Sequence, residues 1–339
     1  MGRQAPISID DFVKMHRATI LRSLISAVLI VVTPLSLGGA EVTRRNLAAV
    51  TVGPAAGRAA VNLKVHSDLV EIPVTVMDKA DQAVEHLSSE MFLIYENGVQ
   101  QTIAHFETAE APISACLVFD SSLSMATKLQ KAVEAVQALL NAAISDDEYC
   151  LVRFSDQPEV MVRMSSGPQG VAAAVNRIYA GGWTALLDAI YVGIQEVKRG
   201  HNRRKAIVLI SDGGDNRSRH TRRDIKQSVR EADTQIYSIG IVTPDALWAN
   251  PEEIDGPSLM KDISRQSGGR LFRIHRVDNL ASAIGKITAA LRHQYVLGYY
   301  PKEDRHDGKY RRVTVKLNTP KMTSGLRAYW RAGYYAPPD

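Results

Sequence analysis

Continuous apolar runs alternate with helix-like stretches between residues 112 and 292 of this 339-residue chain. The runs are SACLVFD (114–120), YCLVRF (149–154), KAIVLIS (205–211), QIYSIGIV (235–242) and GGRLFRI (268–274). Runs without polar alternation are typical of strands that are covered on both faces. Strands that alternate with helices predict the α/β fold class, here a doubly wound, mostly parallel sheet with helices on both faces.

The stretches between these runs have helical spacing. Apolar residues recur in steps of three and four from Leu129 to Leu140 and from Leu280 to Leu291, which is the pattern of an amphipathic helix. Further helices are predicted near 168–180, 184–198, 221–232 and 258–267, and EVMVRM (159–164) is predicted as a short edge strand.

Two β-like segments, 62–111 and 293–339, flank the α/β region. The first contains alternating apolar residues and the turn Asn97-Gly98, whose residues tolerate positive φ and favour a hairpin. Each segment has only about 45 residues, which is marginal for an independent core. We therefore expect the two to pair into one small β-sandwich-like domain with the α/β domain inserted; two separate appendages are the alternative.

The first forty residues have the pattern of an export signal. Basic residues precede the short apolar run SLISAVLIVVT (23–33), and SLGGA follows it. This pattern predicts a signal peptide over 1–40, cleaved after Ala40, and a flexible leader over 41–61. The protein is then periplasmic, cell-surface or secreted. The alternative is an uncleaved anchor, and only in that case is a membrane partner expected.

Composition and charge are those of an ordinary globular protein, with 45% hydrophobic and 23% charged residues. Residues 41–339 hold 37 basic and 34 acidic residues, a net charge of +3. This excess is too small to predict a nucleic-acid partner.

The two cysteines, Cys116 and Cys150, both lie in apolar strand-like runs. Export permits a disulfide, but bridge geometry is demanding and a free cysteine is often a small buried hydrophobe. We therefore expect two buried thiols. With so few cysteines and no cluster of His and Cys, a structural zinc site is not expected.

Polar side chains follow two of the buried strands and one glycine turn. They are Asp120, Ser122, Ser124, Thr184 and Asp212. Ligands of open α/β sheets bind at the carboxyl ends of strands, where the strand order reverses. Carboxylate and hydroxyl oxygens without His or Cys suit Mg²⁺, with Mn²⁺ or Ca²⁺ as alternatives. Each residue alone is also explained as a helix cap or a turn residue.

Together the three loops resemble the metal-ion-dependent adhesion site of von Willebrand factor type A domains: D-x-S-x-S from Asp120, Thr184 after a Gly-Gly turn, and Asp212 in SDG. The resemblance covers 112–292, and the flanks resemble bacterial secreted VWFA-related proteins. It implies that the five residues bind a divalent cation, partly through water, and that a carboxylate of a partner completes the coordination. Leu123 departs from the motif, which usually has Gly there; we expect its side chain to crowd the loop or pack inward.

Three neighbouring residues have open roles. Asp188 is expected to be a first-turn helix acid and Asp215 a loop acid, rather than metal ligands. Trp183 either is an exposed contact residue or folds over its own loop.

Three functions remain. The first is an exported module that binds an acidic group of a protein partner through the cation. The second is a metal-dependent phosphohydrolase with Asp120 or Ser122 as nucleophile. Because D-x-D, a base and a lysine are not evident beside that strand end, no catalytic residues are expected. The third is an envelope scaffold in which the metal only stabilises the loops.

Overall fold

The computed structural model describes residues 69–108, 110–242, 251–303, 306–318 and 325–338. The predicted signal peptide over 1–40 and leader over 41–61 lie outside these residues. The strands are β1 (Val70–Met77), β2 (Phe92–Glu96), β3 (Val99–Gln101), β4 (Ile103–Glu107), β5 (Ile113–Asp120), β6 (Glu148–Phe154), β7 (Pro158–Ser166), β8 (Arg204–Ser211), β9 (Gln235–Ile241), β10 (Leu271–Ile274), β11 (Tyr295–Tyr299), β12 (Tyr310–Leu317), β13 (Arg327–Trp330) and β14 (Gly333–Tyr335). The helices are α1 (Leu129–Asn141), α2 (Gln169–Val175), α3 (Leu186–Val197), α4 (Arg222–Glu231), α5 (Pro251–Ser267) and α6 (Leu280–Arg292).

A six-stranded sheet occupies the centre of the chain, in the order β10-β9-β8-β5-β6-β7. Its neighbours are parallel, except that edge strand β7 runs antiparallel to β6. The predicted doubly wound, mostly parallel α/β fold is confirmed. The chain moves from β5 towards β6 on one side and later returns to β8 on the other, so the strand order reverses between β5 and β8.

The central strand β5 is buried along its whole length because helices cover both faces of the sheet. Ala115, Leu117 and Phe119 pack with α1, α2 and α6 on one face. Cys116 and Val118 pack with α3, α4 and α5 on the other face. This two-sided burial explains why the sequence of β5 shows no polar alternation.

Cys116 and Cys150 form a disulfide between β5 and β6, so the expectation of two buried thiols is wrong. The parallel register places the two residues opposite each other on the same face, with Cα atoms 4.6 Å apart. This separation falls within the usual range for bridged cysteines. The two cysteines are 34 residues apart in the sequence. The register between their strands is a tertiary property, and the residue pattern within each strand does not specify it.

Two helices differ in length from the sequence prediction. Helix α2 ends at Val175, whereas a helix to about residue 180 was expected. Helix α5 begins at Pro251 rather than near 258 and contains Pro257 in its interior. Interior proline removes a helix hydrogen bond, which is why the pattern indicated a helix only after Pro257. None of the described helices is both long and apolar enough to cross a membrane.

The flanking segments form two four-stranded sheets, β13-β1-β11-β4 and β14-β12-β2-β3. Each sheet combines strands from before and after the α/β region, since β1 pairs with β11 and β2 with β12, both antiparallel. Side chains of both sheets share one core, which includes Ile72, Ile94 and Leu297. The β2–β3 hairpin turns at Asn97 and Gly98, with φ of 47° and 88°.

A buried ion pair joins the end of α6 to the residue that precedes β6. The guanidinium of Arg292 donates to both carboxylate oxygens of Asp147, and the side chains are 6% and 0% exposed. Asp147 also accepts the backbone N–H groups of Ile113 and Ile144, each at 2.9 Å. Burial opposes ionisation of Asp147, but these hydrogen bonds hold its pKa below the usual value. Asp147 therefore links Arg292, the last residue of α6, to Ile113, the first residue of β5.

The carboxylate of Glu148, at the start of β6, accepts hydrogen bonds from three neighbouring residues. Burial opposes its ionisation, but hydrogen bonds from Ser114, His201 and Asn202 outweigh it and lower the pKa of Glu148 from 4.5 to about 2. A lowered folded-state pKa stabilises the fold above the unfolded-state value, and this stabilisation is lost as the pH falls from about 5 towards 2. We expect Glu148→Gln to reduce the free energy of unfolding at pH 7 by about 2–3 kcal/mol.

Urea unfolding at pH 7, 5 and 3 checks this prediction, because the difference from wild type should narrow as the pH falls. Glu134→Gln is the control, since Glu134 forms an exposed ion pair with Lys131 and exposed pairs contribute at most about 1 kcal/mol. A difference for Glu148→Gln that stays constant over this range would contradict the assignment.

Candidate metal site

Asp120 ends β5 beside the end of β8 and is fully buried. Its Oδ1 accepts the backbone N–H of Ser122 at 2.8 Å, and its Oδ2 accepts the hydroxyl of Ser211 at 2.5 Å. Burial raises the pKa of Asp120 to about 7, the charge of Asp212 adds to the rise, and both hydrogen bonds oppose it. Among the described residues no basic side chain pairs with this carboxylate, so a cation beside it would be strongly favoured.

Three oxygens form a hydrogen-bonded row next to Asp120. The hydroxyls of Ser122 and Ser124 are 3.1 Å apart, and the hydroxyl of Ser124 donates to Oδ1 of Asp212 at 2.9 Å. Six-coordinate Mg²⁺ has ligands at about 2.0–2.1 Å in octahedral geometry, which places neighbouring ligand oxygens about 3 Å apart. The oxygens of the row are therefore close enough together to be neighbouring ligands of one ion, although hydrogen bonds alone give the same spacing.

Thr184 is brought to the same edge by backbone contacts between loops. Gly181 donates its N–H to the carbonyl of Ser121 at 2.8 Å, and Leu123 donates to the carbonyl of Gly182 at 3.1 Å. Thr184 itself is 7% exposed. Its N–H donates to Oδ1 of Asn216 at 2.8 Å, and the N–H of Asn216 returns to its carbonyl at 3.0 Å. The three loops predicted to meet are thus joined to one another.

Gly182 is required where the Thr184 loop turns. Its φ is +79°, and a Cβ there would lie 2.6 Å from Oδ2 of Asp156. The other oxygen of Asp156 accepts the N–H of Trp183 at 3.1 Å. The positive φ strains any residue with a side chain at this position, and a Cβ would also displace the Asp156 carboxylate.

Leu123 neither crowds the loop nor packs inward, so this expectation is wrong. Its side chain is 67% exposed, while its N–H holds the carbonyl of Gly182. Leu123 begins the 3₁₀ turn Leu123–Met125, and its φ is not positive. The backbone therefore does not require glycine at this position. Trp183 is also exposed, at 61%, rather than folded over its loop.

The two nearby acids bind protein groups. Asp188, in the first turn of α3, accepts the N–H groups of Arg219 and His220. Burial opposes its ionisation, but these hydrogen bonds lower the pKa of Asp188. Asp215 accepts the Ser218 hydroxyl at 2.5 Å and the N–H of Leu187 at 3.3 Å, and burial raises its pKa. Both orient the loops around the start of α3.

Sequence reasoning missed three residues of this edge: Lys128, Ser211 and Asn216. The expectation that no lysine accompanies the strand end is therefore wrong. The ammonium of Lys128 contacts Oδ2 of Asp212 in a buried ion pair. Ser211 was detectable as the residue before Asp212 at the same strand end. Lys128 and Asn216 carry no comparable signal, because their contacts join residues 84 and 32 positions apart.

Residues 116–214 match the family model of the von Willebrand factor type A domain. The chain carries a von Willebrand factor type A domain. The A-domain match includes β5 from Cys116 onward, β6, β8 and all five predicted site residues. An uncharacterized protein, sll0103, of Synechocystis is 31% identical over an alignment of 113 positions that covers 31% of this chain. The match spans only 27% of that relative's length.

Several solved structures are distant likenesses of the chain. A von Willebrand factor type A protein from Catenulispora acidiphila is 14% identical and covers 80% of this chain and 74% of its own, with a TM-score of 0.46. The PilB minor pilin from Streptococcus sanguinis is 17% identical, with coverages of 53% and 61% and a TM-score of 0.42. Proximal thread matrix protein 1 from the mussel byssus, in a structure with a zinc-occupied MIDAS motif, is 14% identical, with coverages of 54% and 48% and a TM-score of 0.45.

The donor set of the A-domain edge fits a hard divalent cation. Among the described residues no three His, Cys, Asp or Glu side chains gather as a metal-binding group. The edge instead offers two carboxylates and three hydroxyls, which are the oxygen ligands that Mg²⁺, Mn²⁺ and Ca²⁺ accept.

Two adjacent serines allow a matched test of the ligand set. Ser122 presents its hydroxyl to Ser124, whereas the buried hydroxyl of Ser121 donates to the carbonyl of Phe154. We expect Ser122→Ala to weaken Mn²⁺ binding by about tenfold or more, because one oxygen ligand is lost. Calorimetric titration with Mn²⁺ measures this change.

Ser121→Ala is the control, and we expect it to cost about 1 kcal/mol of stability without changing Mn²⁺ affinity. Equal Mn²⁺ affinities for both variants would remove Ser122 from the ligand set.

Proposed function

We propose that the chain is an exported interaction module that captures an acidic group of a protein partner through a divalent cation. The five residues of the three loops would hold the cation, with Mg²⁺ favoured and Mn²⁺ or Ca²⁺ as alternatives. When bound, the cation supplies positive charge that accepts a carboxylate oxygen. The observation that carries the proposal is the row of hydroxyl and carboxylate oxygens about 3 Å apart.

Exposed apolar side chains around the site support a protein partner. Leu123, Tyr179 and Trp183 are 67%, 70% and 61% exposed. They are three of the eight large hydrophobic side chains that are exposed among the described residues, and all three lie on two of the site loops. Aromatic residues are enriched at the energetic centres of protein interfaces. Here they would contact residues that flank the acidic group.

Charge around the site favours an acidic partner. A groove of about 910 Å³ beside Trp183 is lined by Arg217 and Arg219 and by the carboxylates of Asp156 and Asp188. Both carboxylates accept N–H groups of the protein, whereas the two arginines are exposed. The guanidinium of Arg153 lies 5.2 Å from the ring centre of Tyr179 but is paired with Glu159, so the exposed arginines of the groove carry the charge argument. Complementary charge increases the association rate and excludes partners of the same sign.

The Cys116–Cys150 disulfide supports export. Disulfides persist in oxidising compartments, such as the periplasm or the cell exterior, and are rare in the reducing cytosol. This bond agrees with the export signal that the sequence predicts over 1–40.

Burial of the two candidate nucleophiles supports binding over phosphohydrolase chemistry. Asp120 is 0% exposed and Ser122 is 1% exposed, and both oxygens of Asp120 accept hydrogen bonds from the protein. A nucleophile has to reach the substrate. These two side chains are better placed to orient a cation below the surface.

Capture of partners from the native secretome tests the proposal. We expect a specific protein to bind the immobilised chain with Mg²⁺, to be lost with EDTA or Asp120→Ala, and to return when Mg²⁺ is restored.

Trp183→Ala should weaken capture by about tenfold, or about 1.4 kcal/mol, as an interface aromatic, without changing Mn²⁺ affinity. Tyr300→Ala is the matched control, because Tyr300 is 50% exposed outside the site loops.

The alternatives give different results. Capture that survives both EDTA and Asp120→Ala would contradict the proposal. A metal-dependent rise in melting temperature without any metal-dependent partner would favour the scaffold. Turnover of aryl phosphates that requires Mg²⁺ or Mn²⁺ and is lost in Asp120→Ala would favour the phosphohydrolase.

A further inference from the structure

Lys128 places a positive charge inside the proposed metal site. Its side chain is 10% exposed, and its ammonium contacts Oδ2 of Asp212, whose side chain is 2% exposed. Its backbone is also held, because its N–H donates to the carbonyl of Met125 at 2.8 Å and its carbonyl accepts the N–H of Ala132 at 3.0 Å. The ammonium is therefore delivered from the same loop that carries the proposed ligands at positions 120, 122 and 124.

Helix capping does not explain a lysine at this position. Lys128 is the N-cap residue of α1 and makes no side-chain capping hydrogen bond. Ser, Thr, Asp and Asn are the usual N-cap residues, and a cation is disfavoured at the positive end of the helix dipole. What the lysine does provide is a counter-charge for Asp212.

The charges of the buried groups define what the lysine changes. With both carboxylates ionised, Asp120, Asp212 and Lys128 carry a net charge of −1, and a divalent cation raises it to +1. Without the ammonium, the same cation gives a neutral site. One carboxylate from a ligand returns the lysine-containing site to neutrality, whereas it leaves a lysine-free site at −1. Buried net charge is costly, so these differences affect affinity.

We propose that Lys128 is a built-in competitor of the divalent cation for Asp212, which makes metal binding weak alone and stronger with a carboxylate ligand. The inference rests on the proposed metal site and names the residue that couples the metal to its acidic ligand. Lys128 also keeps Asp212 paired when the metal is absent. The cation is then retained mainly while an acidic group is bound.

Manganese titrations of the full chain test this role. We expect Lys128→Met to bind Mn²⁺ about tenfold or more tightly than wild type, because repulsion between the ammonium and the ion is removed. Acetate, the carboxylate probe, should tighten Mn²⁺ binding to wild type more than to the variant, compared with chloride at equal ionic strength. Lys131→Met is the control: it removes the same charge from an exposed lysine that pairs with Glu134, and its Mn²⁺ affinity should match wild type.

The outcomes separate this inference from the proposed metal site. Equal Mn²⁺ affinities for wild type, Lys131→Met and Lys128→Met would overturn the role of Lys128 and leave the metal site standing. Weaker binding to Lys128→Met would overturn it as well, because Lys128 would then only position Asp212. No Mn²⁺ binding to any of the three would overturn the metal site itself.

Folding of the variants is checked by circular dichroism in the presence of EDTA. Lys128→Gln replaces the methionine variant if that variant does not fold, with the same expected result. Lys128→Arg keeps the charge, and we expect it to bind Mn²⁺ as weakly as wild type.

Discussion

The two-sided burial of β5 is the constraint on which the rest of the α/β domain depends. This strand pairs with β6 and β8 along its length, and helices cover both of its faces. The position of β5 places its last residue, Asp120, beside Ser211 of β8. The register of β5 with β6 brings Cys116 opposite Cys150. A polar run at the end of such a strand cannot be buried without partners, and the hydroxyls and N–H groups of the neighbouring loops supply them.

The two carboxylates of the candidate site are stabilised in different ways. Asp120 receives only neutral donors, and burial raises its pKa to about 7. Asp212 receives a hydroxyl and the ammonium of Lys128. The protein thus neutralises one of the two charges itself. The proposed cation would compensate the other, and an acidic partner would balance the charge that remains.

Strands from before and after the α/β region pair with each other. Strands β4 and β11 pair directly although 187 residues separate their ends at Glu107 and Tyr295, so the insertion leaves and returns at one place. There Arg292 at the end of α6 binds Asp147, and Asp147 holds the first residue of β5. The opposite end of β5 carries Asp120, so the candidate site and the domain junction lie at opposite ends of one strand.

By itself the sequence determined the α/β class and the order of the elements, and it predicted five oxygen-bearing residues as a metal site, because hydrophobic periodicity and short motifs are local properties. It also identified the Asn97-Gly98 turn, whose conformation depends on the two residues themselves. Only the tertiary structure decided the Cys116–Cys150 bond, the start of α5 before Pro257 and the outward position of Leu123. It alone revealed Lys128 at Asp212, since that contact joins residues 84 positions apart. Such contacts depend on strand register and loop packing, which arise only when the whole core is assembled.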